Sequence, residues 1–307
     1  MSEVVLITGV AGFIGRHVAR HFAERGWTIV GIDQIPLHPT PQHLSAYYEL
    51  RMPHEALSRI VQTHLPQVCI HCAGPASIGL SMTDPSSDFY GSTVATFEIL
   101  NMLRLHCPTC RFVLVSSAAV YGNPVSLPVR EEQLPAPLSP YGFHKWQCEV
   151  LGQEFNRVYG LPTASVRIFS AYGSGLRRQV LWDICEKVLS HRRVTLQGTG
   201  GESRDFVHVV DIAAALRVVA TQGGLQGEAY NLGSGREVSI RDLAGMIVGL
   251  FGHPDPPQFD GIVPPGTPRN WQANISKLKS LGFTPSVPLE EGLRKFVDWC
   301  REERVRP

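Results

Sequence analysis

The chain has 307 residues, 43% hydrophobic and 18% charged, which is enough apolar side chain for a sizeable core and the wrong balance for a disordered polymer. Its 28 basic and 27 acidic residues leave a formal net charge of +1, which gives no electrostatic basis for binding nucleic acid or an anionic membrane. No apolar run approaches the roughly 20 residues that span a bilayer. The opening Met1-Ser2-Glu3 has no basic segment or long apolar stretch behind it, so a cytoplasmic protein is expected.

Residues 4–8 form a short apolar run that ends in glycine and reads as a strand. Residues 14–25 have helical spacing, with Ile14, Val18 and Phe22 on one face and Gly26 as the stop. Residues 28–32 read as a second strand, and 68–73 and 112–116 repeat the pattern with helix-like stretches between. This alternation predicts a parallel sheet with helices on both faces. Beyond about residue 170 the texture changes, with proline and glycine concentrated in 252–257 and 261–268. Short strands at 194–197 and 229–232 alternate there with helices at 181–190, 211–221, 240–251 and 289–301. The expected architecture is α/β. A Rossmann-type doubly wound parallel sheet spans residues 1–170, and a smaller C-terminal α/β substrate-binding lobe, partly interleaved with it, spans 171–307.

Seven cysteines include two Cys-x-x-Cys pairs, Cys69/Cys72 and Cys107/Cys110. Such spacing can serve zinc. Cys69 and Cys72 fall in a strand-like run, however, where residues three apart point to opposite faces. Buried free thiols and no metal site are expected.

The first strand runs into Gly9-Val10-Ala11-Gly12-Phe13-Ile14-Gly15. A dinucleotide site needs glycines here for a tight turn, for close approach of backbone to a pyrophosphate, and for packing of helix on strand. The helix start then offers free N–H groups to the phosphates. The second strand ends at Asp33, 18 residues past Gly15, where a carboxylate can accept from ribose hydroxyls and repel a 2′-phosphate. Gln34, Ile35 and Pro36 supply no arginine for such a phosphate. NAD is therefore expected over NADP.

Ser139-Pro140-Tyr141-Gly142-Phe143-His144-Lys145 reads as a helix start, with Ser139 at the cap and Pro140 in the first turn. Tyr141 and Lys145, four apart, share a face. A phenol titrates near pH 10 and is a weak base at neutrality. An ammonium about 4 Å away favours a phenolate by about 4 kcal/mol at an effective dielectric of 20, or about three pH units. Such a pair is common in helices and gains meaning from its company. Upstream, Ser116-Ser117 ends a strand on the edge where ligands bind, and Ser117 can donate to an oxygen under oxidation.

Together the glycine turn, Asp33, Ser117 and the Tyr141/Lys145 pair resemble the NAD-dependent epimerase/dehydratase family, the extended short-chain dehydrogenases. The likeness runs over nearly the whole chain. It includes Val166-Arg167-Ile168-Phe169-Ser170-Ala171-Tyr172-Gly173, Gly198-Thr199-Gly200 through Arg204-Asp205-Phe206-Val207-His208-Val209-Val210-Asp211, Tyr230-Asn231-Leu232-Gly233 and residues 277–283. The resemblance implies that Tyr141 is the base, that Lys145 orients it and contacts the ribose, and that Ser117 binds the substrate hydroxyl. It implies that Phe13, Ile14, Ala73, Ser116 and Ile168 join Gly9, Gly12, Gly15 and Asp33 around NAD, with Glu49 and Leu50 near adenine. Ser170, Arg204 and Arg269 would line the nucleotide-diphosphate sugar, and His208 would be structural. A homodimer paired through the tyrosine-bearing helix and its neighbour is also implied.

Three departures from the family pattern narrow the chemistry. Dehydratases of the family carry Asp-Glu after the active-site Ser or Thr, and decarboxylases a Glu at the second of these positions. This chain has Ala118-Ala119. Ser170 and Ser92 stand where many members have Asn. The expected reaction is a nucleotide-sugar 4-epimerisation. The alternatives are a 4-ketoreductase of a nucleotide-deoxysugar, which would consume reduced cofactor, and a non-enzymatic NAD-binding protein. A pure binder has no need of the Ser117, Tyr141 and Lys145 set.

Overall fold

The apolar run at the start of the chain forms strand β1 (Val4–Thr8), and its successors follow the alternation the sequence predicts: α1 (Phe13–Ala23), β2 (Thr28–Asp33), β3 (Ala46–Glu49), α2 (Ala56–His64) and β4 (Val68–His71). The computed structural model describes residues 2–190, 193–263 and 266–305. Two short helices, α3 (Ile78–Thr83) and α4 (Pro85–Phe89), lead through a π-helical segment, Tyr90–Val94, into α5 (Ala95–His106). Strand β5 (Arg111–Ser117), a 3-10 turn at Ala118–Tyr121, α6 (Pro140–Tyr159) and β6 (Thr163–Ile168) follow. The remainder comprises β7 (Ser170–Tyr172), α7 (Gln179–Leu189), β8 (Thr195–Leu196), β9 (Ser203–His208), α8 (Val209–Gln222), β10 (Gln226–Leu232), β11 (Glu237–Ser239), α9 (Ile240–Phe251), β12 (Gln258–Phe259), α10 (Ser276–Lys279) and α11 (Leu289–Val305).

Seven strands make one parallel sheet in the order β10-β6-β5-β4-β1-β2-β3. Both faces are covered, so successive strand residues are apolar on alternate sides. Val5 and Ile7 enter one core with Val18 and Phe22 of α1 and Ile212 and Leu216 of α8. Leu6 enters the opposite core with Leu57 and Ile60 of α2, Ile99 of α5 and Phe155 of α6. Cys69 belongs to the second core and Cys72 packs on the first, so this pair does point to opposite faces. Burial pushes the Cys72 thiol up to about 12. Among the described residues no group of three or more His, Cys, Asp or Glu is arranged to hold a metal. Among them, too, no helix is long and apolar enough to cross a membrane.

The smaller lobe holds a three-stranded sheet, β11-β9-β7, and a two-stranded one, β12-β8. Helices α7, α9 and α11 close a third core around Ile184, Leu243, Ile247, Leu293 and Phe296. The strand read at residues 229–232 is the end of β10, and it lies at the edge of the large sheet, beside β6. Tyr230 and Leu232 bury there against the core that α8 shares with α1, and this burial carries the chain back across residue 171.

Candidate functional site

The strands of the large sheet end together, with Thr8 opposite Ile32 and His71, and Ser117 opposite Ile168. At this edge Gly9 turns the chain with φ +69°, and a Cβ there would lie 2.7 Å from the Ala73 nitrogen. A Cβ on Gly15 would lie 2.0 Å from the Gly9 carbonyl oxygen, so only glycine lets α1 seat against the turn. Gly12 caps α1 without a side-chain partner, and the first turn has no acidic residue. The opening N–H groups beside Phe13 and Ile14 thus suit a phosphate.

Asp33, 8% exposed, accepts from the Ala11 N–H at 2.9 Å and the Ile35 N–H at 3.1 Å. Its carboxylate thereby holds the glycine turn and keeps acceptor capacity for a ligand. Strand β3 pairs Glu49 with Asp33, and the Leu50 N–H donates to the Asp33 carbonyl at 2.8 Å. Behind the turn, the Ala73 N–H donates to Thr8 Oγ1 at 3.2 Å. The Thr8 hydroxyl in turn bonds His71 Nδ1 at 2.7 Å. Burial and the nearby Lys145 cation push His71 down to about 3, so the ring is neutral.

Helix α6 begins as the sequence implies, with Ser139 Oγ accepting from the Gly142 N–H at 3.2 Å and Pro140 in the first turn. Its start abuts the 3-10 turn, where a Cβ on Gly142 would lie 2.7 Å from the Ala119 carbonyl oxygen. The Tyr141 N–H donates to Ser81 Oγ at 3.1 Å. Lys145 is buried, donates to the Val115 carbonyl at 3.1 Å, and places its ammonium 5.9 Å from the Tyr141 ring centroid. Ser117 caps the 3-10 turn by accepting from the Ala119 N–H at 3.1 Å. Ala118 and Ala119 pack with Val120, Phe169 and Trp271, and Tyr141 packs against the same cluster. No carboxyl group occupies the two positions after Ser117. The Ser116 hydroxyl points elsewhere, donating to Glu149 at 2.5 Å, so any contact of Ser116 with a cofactor is left to its backbone.

On the lobe side, Ser170 starts β7 and pairs with Phe206. Arg204 donates to the carbonyls of Ser203 at 2.7 Å and Arg269 at 3.0 Å, and its guanidinium lies over Trp271, 5.2 Å from the centroid. Burial pushes Arg204 down to about 10. A desolvated cation held by carbonyls, with no ion-pair partner among the described residues, is suited to an anionic ligand. Arg269 is exposed beside it. The two acids of the same motif are structural. Asp205 accepts from Ser234, Gly235 and Ala273, and Asp211 from Ser286 and Val287. His208 caps α8, with Nδ1 accepting from the Val210 N–H at 3.4 Å.

Sequence reasoning did not single out Ser81, the Val115 carbonyl, His71 or the Glu149–Arg167 pair. Only Glu149 carried a readable signal, since it extends the Tyr141, Lys145 spacing by another four residues.

A glycine cradle, a carboxylate at the second strand end and a Ser/Tyr/Lys set on one sheet edge mark a dinucleotide-dependent short-chain dehydrogenase. The chain belongs to the NAD dependent epimerase/dehydratase family, whose model matches residues 5–233. A UDP-glucose 4-epimerase from Thermotoga maritima, solved with UDP-glucose, has a TM-score of 0.91 at 28% identity, covering 98% of this chain and 99% of that one. The UDP-glucose 4-epimerase of Thermus thermophilus, solved with NAD, has a TM-score of 0.87 at 27% identity, covering 97% and 99%. A dTDP-glucose 4,6-dehydratase from Salmonella typhimurium is 28% identical over 340 residues, 96% of this chain and 92% of its own.

Proposed function

We propose that the protein is an NAD-dependent nucleotide-sugar 4-epimerase. The observation that carries this reading is the apolar turn after Ser117. Ala118 and Ala119 are 0% and 6% exposed and offer no proton donor, so the site can manage one hydroxyl but cannot expel water from a neighbouring carbon. The glycine cradle and Asp33 fit NAD, with Ala73, Glu49, Leu50 and Ile168 beside them on the same sheet edge. NAD, when bound, accepts a hydride from C4 of the sugar and returns it. Tyr141 takes the 4-hydroxyl proton as the C4–H bond breaks, and gives it back when the 4-keto sugar is reduced on its other face. Ser117 donates to the same oxygen. Lys145, fixed by the Val115 carbonyl, supplies positive charge beside the Tyr141 ring. Arg204 and Arg269, with Ser170 nearby, hold the diphosphate while the sugar turns. Atoms and electrons balance within each cycle, and no net cofactor is consumed.

The test is a panel of UDP-glucose, UDP-galactose, their acetamido analogues and the uronates, given to purified protein loaded with NAD. Interconversion of at least one C4 pair is expected without net NADH. Failure with every pair, or stoichiometric consumption of added NADH or NADPH with a keto sugar, overturns the reading.

The same reading includes a homodimer. Tyr90 and Phe97 on the π segment and α5, and Phe143 and Val150 on α6, are all exposed, while Thr93 and Gln147 bond between the two segments at 3.1 Å. This two-helix face is the apolar surface on which a second copy would dock.

A further inference from the structure

We infer that Glu149, with Arg167 and Ser116, is a positioning device that fixes the helix carrying Tyr141 and Lys145 against the strand carrying Ser117. Tyr141, Lys145 and Glu149 follow one another at intervals of four, so they form a single stripe along α6. The stripe is stitched to consecutive residues of β5. Lys145 donates to the Val115 carbonyl at 3.1 Å, and Glu149 Oε1 accepts from the Ser116 hydroxyl at 2.5 Å. Ser117 is the next residue, and the 3-10 turn it caps abuts the first turn of α6, where a Cβ on Gly142 would lie 2.7 Å from the Ala119 carbonyl oxygen.

Arg167, the register partner of Ser116 on β6, locks the arrangement from behind. Its Nε and Nη2 grip Glu149 at 2.7 to 3.1 Å. Its Nη1 donates to the Tyr121 hydroxyl at 2.7 Å, and that hydroxyl donates to Asn231 Oδ1 at 2.7 Å. None of Ser116, Glu149, Arg167, Tyr121 and Asn231 is more than 5% exposed. Burial alone would pull the Arg167 guanidinium down, but its bonds to Glu149 outweigh this and hold it above its ordinary value. Burial pushes Tyr121 up to about 12, so it stays a neutral donor. Tyr121 closes the same 3-10 turn that Ser117 opens. The network therefore grips both ends of the turn, the strand before it and the helix facing it.

A buried ion pair is a weak source of stability, because hydrophobic residues of the same volume would serve as well or better. Its particular quality is geometric. A bidentate fork admits one orientation, whereas apolar packing admits many. Proton transfer within a Ser/Tyr pair depends on that geometry, and a misplacement of about 1 Å can cost about 100-fold. Glu149 acts through Ser117 and Tyr141, so it is a positioning residue rather than a catalytic one.

The kinetic arm of the test rests on the epimerase reading, and the structural arm does not. Ser116→Ala removes the tie of Glu149 to β5 while leaving the ion pair satisfied. The double replacement Glu149→Gln with Arg167→Met removes both charges together. Each variant is saturated with NAD, and kcat, KM for the sugar nucleotide, Kd for NAD and Tm are measured. The expected result is a kcat lowered about 10- to 100-fold, with KM and Kd within about twofold. A merely structural contribution would lower Tm and leave kcat per NAD-loaded site unchanged, and that outcome for Ser116→Ala overturns the proposal. Crystal structures of the variants should show the Lys145–Val115 contact lengthened from 3.1 Å. If the unaltered protein epimerises no sugar nucleotide, the proposed function fails, and an unmoved contact in both variants then decides against the network on its own.

Discussion

Two residues carry the sharpest consequences at the scale of single side chains. In the proposed epimerase Tyr141 moves a proton at the sugar oxygen, and among the described residues its hydroxyl is not a partner in any bond that holds the fold. Tyr141→Phe should therefore lower kcat by a factor of about 100 to 10,000 while bound NAD, measured after denaturation, stays unchanged. Retained turnover would remove Tyr141 from the mechanism. His71 makes a prediction about pH. Its ordinary value of 6.5 falls to about 3 in the folded protein. Between those values the unfolded chain binds a proton that the folded chain does not, so stability falls as pH drops below about 6.5 and the loss ends near 3. At pH 5 the cost is about 2 kcal/mol. Urea unfolding at pH 7 and pH 5 should show that difference shrink in His71→Gln, and an equal difference in the two proteins would refute the assignment. His71 was not visible as a functional position in the sequence. Its meaning depends on Thr8, Thr96 and Lys145, which reach it from three other elements.

Among the elements, α6 shows how much a local signal can carry. Ser139, Pro140 and the left-handed Gly160 start and stop it, and all three act through the backbone within a few residues. The structure starts the helix where Ser139 and Pro140 put it, and Gly160 sets an end that was not read from the sequence. Ser139→Ala should cost about 1 kcal/mol, seen as a fall in Tm of about 1.5 °C, because the Gly142 N–H loses its acceptor. No change in Tm would mean that the cap bond is replaced by water at no cost. Strand β10 shows the opposite case. Residues 229–232 read as a strand from their own pattern, yet nothing local says which sheet they join. Pairing with β6 is decided by α8, which covers the sheet beside α1 and delivers the chain to that edge. Strand β3 went unread for a similar reason, since four half-covered residues at an edge have little periodicity to show.

For the whole molecule, the exposed apolar face across α5 and α6 is the feature with the largest consequence. Phe97 and Val150 are 40% and 45% exposed on neighbouring helices, Phe143 is exposed on α6, and Tyr90 is exposed on the π-helical segment that leads into α5. The expected mass by light scattering is twice the 33.8 kDa of one chain. Phe97→Glu together with Val150→Glu should return it to a single chain with the NAD affinity retained. A monomer in the unaltered protein at micromolar concentration would rule the dimer out.

The glycine turn, Asp33, Ser117, the Tyr141/Lys145 spacing and the alternation of strand and helix were determined by the sequence alone. Each is a short-range requirement: a backbone approach that forbids a Cβ, a side chain at a strand end, or two residues one helical turn apart. The direction of the Ser116 hydroxyl, the closure of Glu149 on Arg167, the neutral ring of His71 and the placing of β10 were decided only by the tertiary structure. Those features rest on groups between 18 and 110 residues apart that meet in a medium without water, where an unpaired donor or charge is too costly to leave.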